Sequence, residues 1–281
     1  MALVRYDLHS HSIASDGTLT PSALIARAVE QGVDVLALTD HDTTDGITEA
    51  QRAASGHALS LVAGVEISVT WRKQTVHIVG LNIHPGHDEL ERGLTRLREF
   101  RNWRAQEIDR RLAKRGIDGA LAGAGQFAKG AIVSRTHFAR FLVQQGRVTS
   151  VQEAFDHYLS RSRPAYVPGE WATLSEAVDW ITGAGGDAVV AHPGRYQLTH
   201  SKLKALLTEF KDCGGAAIEV ISGNQPVQTN AHFGSIARAH DLKASLGSDY
   251  HGPENAWVEL GRLPALPEGL KPVWDGWPHA A

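Results

Sequence analysis

The feature that most constrains this chain is where its metal-binding side chains fall: nearly all of them sit at the ends of short apolar runs. Six histidines and three carboxylates, His9, His11, Asp16, His41, Glu66, His77, His192, Asp249 and His251, are spread over most of the sequence. Only a fold that gathers the ends of many segments at one place can use them together. Nine hard or borderline ligands placed in this way predict a cluster of divalent metals.

The apolar runs themselves are Leu3–Leu8, Val35–Thr39, Leu61–Glu66, Val76–Asn82, Ala188–His192, Ala216–Ile221 and Lys243–Gly247. Each suits a buried parallel strand. Helical patterns lie between several of them: Pro21–Gln31 with Thr20 as N-cap, Leu174–Thr182, Lys202–Cys213 and Gln228–His240. Strands alternating with helices indicate an α/β fold, and polar strand ends indicate a barrel with its site at the C-terminal rim. The length of 281 residues suits one such barrel or two average domains.

The alternation stops after Asn82. From Asp88 to Pro168 the pattern is mostly helical, with Leu90–Arg115, Ser134–Gln145 and Ser150–Ser160 as its segments and GAGQFAKGA as a connection between helices. The expected organisation is a barrel domain of residues 1–87 and 169–281 with a helical insertion subdomain of residues 88–168. The tail after Gly261, with Pro264, Pro267, Pro272 and Pro278, reads as an irregular wrap. Net charge is only -3, yet the insertion carries 15 Lys and Arg against 9 Asp and Glu, and the remainder 13 against 22. Two readings of that imbalance stand: a solvated helical face, or a cationic cover that draws an anionic substrate to the metals. No apolar run approaches the roughly 18 residues of a membrane span, the start MALVRYDLHS lacks the pattern of a secretory signal, and the single Cys213 in KDCGG reads as structural. A cytoplasmic location, with no membrane and no obligate protein partner, is expected.

In DLHSHS, strand alternation puts His9 and His11 on one side of the backbone, the geometry of a metal pincer. Asp16 follows in the loop SDG, where an Asp-Gly turn is the competing reading. LALTDHDTTDG ends another run with Asp40, His41 and Asp42, and here His41 reads as a ligand and Asp42 as a group that orients a ring or moves a proton. Glu66 closes LVAGVE. His77 lies inside VHIVG, where a hydrogen-bonded core histidine is the bland alternative. VVAHPGRY supplies His192 with Arg195 three residues on, and LGSDYHG gives Asp249 and His251 the spacing of the first pair.

Taken in order, DLHSHS with SDG, TDHD, GVEIS, the histidine of VHIVG, AHPGRY and GSDYH resemble the signature of the PHP (polymerase and histidinol phosphatase) family. The SDG loop, the GSDYHGP ending and the helical insertion are most similar to its TrpH-type and 3',5'-nucleoside bisphosphate phosphatase branch. The resemblance implies a distorted (β/α)7 barrel with two or three metals at its rim. It implies one metal on His9, His11, Glu66 and Asp249, a second on Glu66, His77 and His192, and a third on Asp16, His41 and His251. Several PHP enzymes carry a histidine where this chain has Asp16; the harder oxygen donor favours Mn²⁺ over Zn²⁺, with Fe²⁺ as a further alternative.

Charge supports phosphate chemistry independently, because three divalent ions outweigh three carboxylates. Closely spaced metals can supply hydroxide at neutral pH and brace a phosphoryl group during in-line attack. Arg195 is near enough in sequence to a ligand to reach a bound phosphate. Ser134, Arg135, Thr136 and His137 together could hold a second phosphate through hydroxyl, guanidinium and helix N-terminal amides. Glu219 and Asn224 could face the site, and Trp103 and Phe127 could stack a base or simply pack. The expected activity is metal-dependent removal of the 3'-phosphate from a nucleoside 3',5'-bisphosphate, with Arg195 stabilising the transferring group and Asp42 or His251 protonating the leaving oxygen. The alternatives are 5'-to-3' trimming of short RNA, a histidinol-phosphate-type phosphatase, and a non-enzymatic metal-bearing module that binds nucleic acid or a polymerase.

Overall fold

Seven apolar runs become seven strands of one sheet, paired in chain order: β1 Tyr6–Asp7, β2 Val35–Leu38, β3 Ser60–Trp71, β4 Gln74–Leu81, β5 Asp187–Val190, β6 Ala217–Ser222 and β7 Lys243–Gly247. The structure is a computed structural model and describes residues 4–130 and 132–277. Leu3 of the first predicted strand, Ala131 of GAGQFAKGA and Pro278 of the tail lie outside the described residues. All of β2 is buried, as expected of a strand covered on both faces. The sheet curls until its ends meet: Leu8 N–H donates to the Leu246 carbonyl at 3.1 Å, and Asp249 N–H to that of His9 at 2.8 Å. Gly247 permits this approach, since a Cβ there would stand 2.2 Å from the Cβ of His9. The result is the expected α/β architecture, a distorted, nearly closed seven-stranded barrel whose interior is filled by Leu8, Val35, Val62, Val79, Leu81 and Val189.

The predicted strand directions need correction at one place. β4 runs antiparallel to both β3 and β5. The reason is that β3 does not end at Glu66 but continues to Trp71 and returns through Arg72 and Lys73, whose φ angles of 45° and 65° are those of a two-residue hairpin turn. Neither residue is the glycine or asparagine that normally marks such a turn. Glu66 and His77 therefore lie within strands, side by side on a hairpin that overhangs the rim.

The helices follow their caps. α1 Pro21–Glu30 starts on Thr20, whose hydroxyl accepts the Ala23 N–H. α2 Ile47–Ala54 was not expected; it begins at Gly46 without a side-chain cap. Between β4 and β5 come α3 Asp88–Ala113, α4 Ala120–Gly125, α5 Arg135–Gln144, α6 Val151–Ala154 with a π turn over Phe155–Leu159, and α7 Leu174–Gly183. The first three residues of GAGQFAKGA thus belong to α4 and not to a connection. α8 His200–Asp212 and α9 Val227–Ala239 complete the outer layer. Leu90, Leu94 and Leu97 of α3 pack with α7 on the barrel, whereas Ile108, Leu112, Phe138, Leu142 and Leu159 form a separate apolar cluster above it. Among the described residues, no helix is long and apolar enough to cross a membrane.

Candidate metal centre

Glu66, fully buried in β3, is the hub of the rim. Its Oε1 lies 2.8 Å from His77 Nδ1 and 2.8 Å from His192 Nε2. Its Oε2 lies 3.1 Å from His41 Nδ1 and 3.3 Å from both His9 Nε2 and His11 Nε2. Asp249 Oδ1 approaches His11 Nε2 to 3.0 Å and His9 Nε2 to 3.4 Å, and Asp16 Oδ1 stands 3.3 Å from His251 Nε2. All nine ligands expected from the sequence are brought together.

Three sets have donor atoms within 4.8 Å of one another: His9, His11, Glu66 and Asp249; His41, Glu66 and His77; and His11, Asp16, His41 and His251. The first reproduces one implied ligand set. In the other two, His41 and His11 stand between neighbouring sets, while His192 joins through Glu66 Oε1. Several of these atoms, His9 Nε2, His11 Nε2, His41 Nδ1, His77 Nδ1, Glu66 Oε2 and Asp16 Oδ1, are buried without a hydrogen-bond partner. Buried polar atoms are rarely left so. Imidazole nitrogens and carboxylate oxygens converging unpaired are what divalent cations would satisfy, so the residues present fit a metal cluster.

The surrounding groups hold the ligands in place. His9 Nδ1 is 2.5 Å from Glu219 Oε1, and the same carboxylate accepts the His192 N–H at 2.5 Å. That leaves His9 Nε2 turned to the centre, the usual arrangement around a metal-bound histidine. The Tyr196 hydroxyl accepts the His77 N–H at 2.9 Å and donates to the Ala191 carbonyl at 2.7 Å. Asp40 accepts the N–H and hydroxyl of Ser12 at 2.8 and 2.6 Å and the Ser15 hydroxyl at 2.6 Å, fixing the loop that carries Asp16. In the same loop Gly17 has no substitute, because a Cβ would meet the His11 carbonyl oxygen at 2.5 Å. Asp42, His192 and Asp249 have φ angles of 52°, 26° and 55°. Such backbone persists only where the surroundings over-determine it.

Burial alone would raise the pKa of Glu66, but His41, His77 and His9 hold its carboxyl well below the usual range. Asp249 is likewise held down against burial by Arg195 and His9, and Asp16 by His251 and His41. All three are thus anionic at neutral pH. Burial would lower His11, yet Asp249 and Glu66 push it up to about 10. The centre attracts cations.

One wall continues into a cavity of about 100 Å³ lined by Asp16, His41, His77, Arg101, Arg104, Ser134, Arg135, Thr136, Phe155 and Trp171 among others. Arg101 and Arg104 lie over the Trp171 ring at 5.1 and 5.3 Å, and Arg135 over Phe155 at 5.5 Å. Burial, with Arg135 and Arg101 adding to it, lowers the Arg104 guanidinium to about 9, still cationic at neutral pH. Arg104 and Arg135 form no ion pair among the described residues. Arg101 and Arg104 were not singled out from the sequence, in which they look like part of a solvated helix face.

The remaining expected residues divide. Ser134 and Thr136 face the cavity and lie within 3.4 and 3.3 Å of Asp16 Oδ2. His137 does not: it is buried as the third residue of a capping box, its Nδ1 accepting the Ser134 N–H at 3.0 Å. Both Asp42 oxygens are engaged, one by the Ser68 N–H at 2.7 Å and one by Arg101 Nε at 2.6 Å. Arg195 is ion-paired with Asp249 at the edge of the cluster. His251 Nδ1 contacts the Asp249 carbonyl at 2.9 Å. Glu219 reaches the site, whereas Asn224 lines a different cavity. Trp103 is exposed and Phe127 packs in the helical cluster, so the aromatic rings in the cavity beside Asp16, His41 and His77 are Trp171 and Phe155 instead. Cys213 is a free, half-buried thiol at the end of α8.

Residues 7–166 match the PHP domain. The chain is similar to the 5'-3' exoribonuclease Rnm of Escherichia coli, with 49% identity over 98% of this chain and 94% of that protein. It is 43% identical to the 3',5'-nucleoside bisphosphate phosphatase of Chromobacterium violaceum over 97% of this chain and 96% of that one. A solved structure described as a metal-dependent phosphoesterase, from Bifidobacterium adolescentis, superposes with a TM-score of 0.80 at 28% identity, covering 96% of this chain and 93% of that chain. The chain belongs to the PHP family and is a metal-dependent phosphoesterase.

Proposed function

We propose that this PHP-family phosphoesterase removes the 3'-phosphate from nucleoside 3',5'-bisphosphates, giving a 5'-nucleotide and inorganic phosphate. The observation that carries the reading is the arginine-lined cavity opening directly onto the metal-ligand cluster. Buried Arg104, whose Nε and Nη2 donate to the Val167 carbonyl at 3.1 and 3.0 Å, and half-buried Arg135 have no carboxylate partner among the described residues, which favours an anion, and a cavity of about 100 Å³ suits a phosphate rather than a nucleoside. A substrate with two separated phosphates would engage both places.

In this reading His9, His11, Glu66 and Asp249 hold one ion, Glu66, His77 and His192 a second, and Asp16, His41 and His251 a third, with Mn²⁺ favoured by the Asp16 oxygen. Bound there, two or three divalent ions would supply charge for the phosphoryl oxygens and activate water for in-line attack. Arg195, already beside Asp249, turns its guanidinium to the transferring phosphoryl group. Glu219 positions His9 and His192. Arg104 and Arg135, with Ser134 and Thr136 at the start of α5, hold the 5'-phosphate, and His137 positions them through the cap. Because Asp42 is tied to Arg101 and Ser68, the proton for the leaving 3'-oxygen falls to His251 when only the first two sites hold ions, its Nε2 on the half-exposed side of the rim then being free of metal. The barrel of residues 1–87 and 169–281 thus carries the chemistry and the helical unit of 88–168 the substrate, in a cytoplasmic enzyme needing no partner.

Product identity tests this. Adenosine 3',5'-bisphosphate treated with the Mn²⁺-loaded enzyme is expected to give 5'-AMP and phosphate; release of 3'-AMP would reverse the assignment of the two phosphate positions. A histidinol-phosphate substrate leaves the arginine cavity without an occupant. Trimming of short RNA is the second reading, favoured by the relative named as a 5'-3' exoribonuclease.

A further inference from the structure

β4 and β5 pair antiparallel, Val79 with Val189 and Ile78 with Val190, and the same register continued by one residue sets His77 opposite Ala191. In an antiparallel ladder every second pair exchanges two hydrogen bonds, N–H to carbonyl in each direction. Here one of the two is direct: the Ala191 N–H donates to the His77 carbonyl at 3.1 Å. The other runs through a side chain. The His77 N–H donates to the Tyr196 hydroxyl at 2.9 Å, and that hydroxyl donates to the Ala191 carbonyl at 2.7 Å. Because a phenol both accepts and donates, it can occupy the rung and leave neither backbone group unpaired. The Tyr196 oxygen thus wedges the ladder open at its last rung.

That rung is where both strands deliver ligands. His77 belongs to it, and His192 follows Ala191; their Nδ1 and Nε2 each stand 2.8 Å from Glu66 Oε1. Past Val190 the chain turns out of the sheet through His192, at a φ angle of 26°, into a short helical turn, Pro193–Tyr196, which carries the phenol back over the strand ends. The Tyr196 ring meets the His192 ring edge to face with centroids 5.4 Å apart, and the His77 ring meets it in the same manner at 5.3 Å. One side chain therefore touches the backbone of the first histidine and the imidazole of the second. His192 is also tied from behind, its N–H donating to Glu219 at 2.5 Å. Any closing of the rung would move His77 against a tethered neighbour.

We infer that Tyr196 is a positioning residue for the ion expected on Glu66, His77 and His192: its hydroxyl spaces β4 from β5 at the rung between two of these ligands and so sets the separation of their ring nitrogens, a role that rests on the three side chains forming one metal site. Without the hydroxyl, the His77 N–H can reach the Ala191 carbonyl directly, as in an ordinary antiparallel pair. The backbone stays paired and the fold survives. The His77 imidazole, however, is carried toward His192 and away from the geometry that a shared divalent ion requires. His9 and His11 approach the other carboxylate oxygen of Glu66, at 3.3 Å each, so their set with Asp249 keeps its arrangement.

The test measures Mn²⁺ bound per chain by elemental analysis after dialysis against graded Mn²⁺, for the wild type, Tyr196→Phe and His77→Ala, together with thermal melts of the metal-free proteins. Metal-free Tyr196→Phe is expected to melt within about 4 °C of the wild type, since the rung closes. At low Mn²⁺ it should lack the ion that His77→Ala also lacks, and regain it at about 10- to 100-fold higher Mn²⁺. A purely structural hydroxyl would shift the melt and leave the Mn²⁺ titration alone. A Tyr196→Phe protein that titrates like the wild type, or that is unfolded without metal, would overturn the positioning role: the first because the spacing does not depend on the hydroxyl, the second because the rung does not close. His77→Ala binding Mn²⁺ as the wild type does would instead reject the ligand set itself.

Discussion

His77 Nδ1 stands 2.8 Å from Glu66 Oε1 because their strands run antiparallel, with His77 paired to Ser68, two residues beyond Glu66 on the same face. The hairpin thereby delivers an imidazole and the central carboxylate to one point from opposite chain directions. With four more histidines around the same carboxylate, Glu66 is the ligand whose loss unlinks the most neighbours. Glu66→Gln is expected to lower phosphatase activity by at least about 100-fold and to lower bound metal measured by elemental analysis. Unaltered metal content with normal rates would remove Glu66 from the centre.

Glu219 touches His9 and His192 but none of the substrate side. Glu219→Gln should therefore reduce metal affinity or activity by about 10- to 100-fold, a loss that added Mn²⁺ restores in part. A metal titration of activity distinguishes this from misfolding, since a misfolded variant would not respond to the added ion.

Arg135→Ala should raise KM for the bisphosphate by about 10-fold or more through loss of a charge-assisted contact, while leaving kcat/KM for 3'-AMP nearly unchanged. Equal effects on both substrates would show that the guanidinium does not hold the second phosphate.

The pair of Asp42 and Arg101 is buried on both sides. Asp42→Ala leaves the guanidinium uncompensated and is expected to destabilise the fold by about 3 kcal/mol in denaturant melts. Unchanged stability would mean that solvent reaches Arg101.

Burial, with Arg140 and Arg101 acting against Asp16, holds the His137 imidazole at about 4. Between its ordinary value of about 6.5 and 4 the unfolded chain binds more protons than the folded one. The contribution of His137 is then fully present above that ordinary value and is lost as pH falls towards 4. The stability difference between wild type and His137→Gln should shift by up to about 3 kcal/mol across this window. A difference that stays flat with pH would place the imidazole in water.

His9, His11, His41, His192, Asp249 and His251 were legible as candidate ligands because each follows a hydrophobic run whose burial fixes the position of its end, whereas Glu66 and His77 lie inside the strands of a hairpin. The direction of β4 was not legible, since Arg72 and Lys73 adopt a left-handed turn that their chemistry does not announce. His77 looked like a core histidine for the same reason. α2 escaped notice for want of a side-chain cap. Arg101 and Arg104 were hidden by amphipathic patterning: in a helix of 26 residues with nine buried positions, only the tertiary fold shows which arginines turn inward. Asp42 and His137 were singled out from the sequence, but Arg101, Ser68 and Ser134 engage the atoms that their expected roles would need.

The most direct measurement is the ratio of kcat/KM for adenosine 3',5'-bisphosphate to that for 3'-AMP with the Mn²⁺-loaded enzyme. Both present the same 3'-phosphate to the metal centre and differ only in the group that the arginine cavity would hold. A preference for the bisphosphate of about 100-fold or more is the expected result, given the strength of charge-assisted contacts to a buried anion. Equal values for the two substrates would contradict the two-phosphate site.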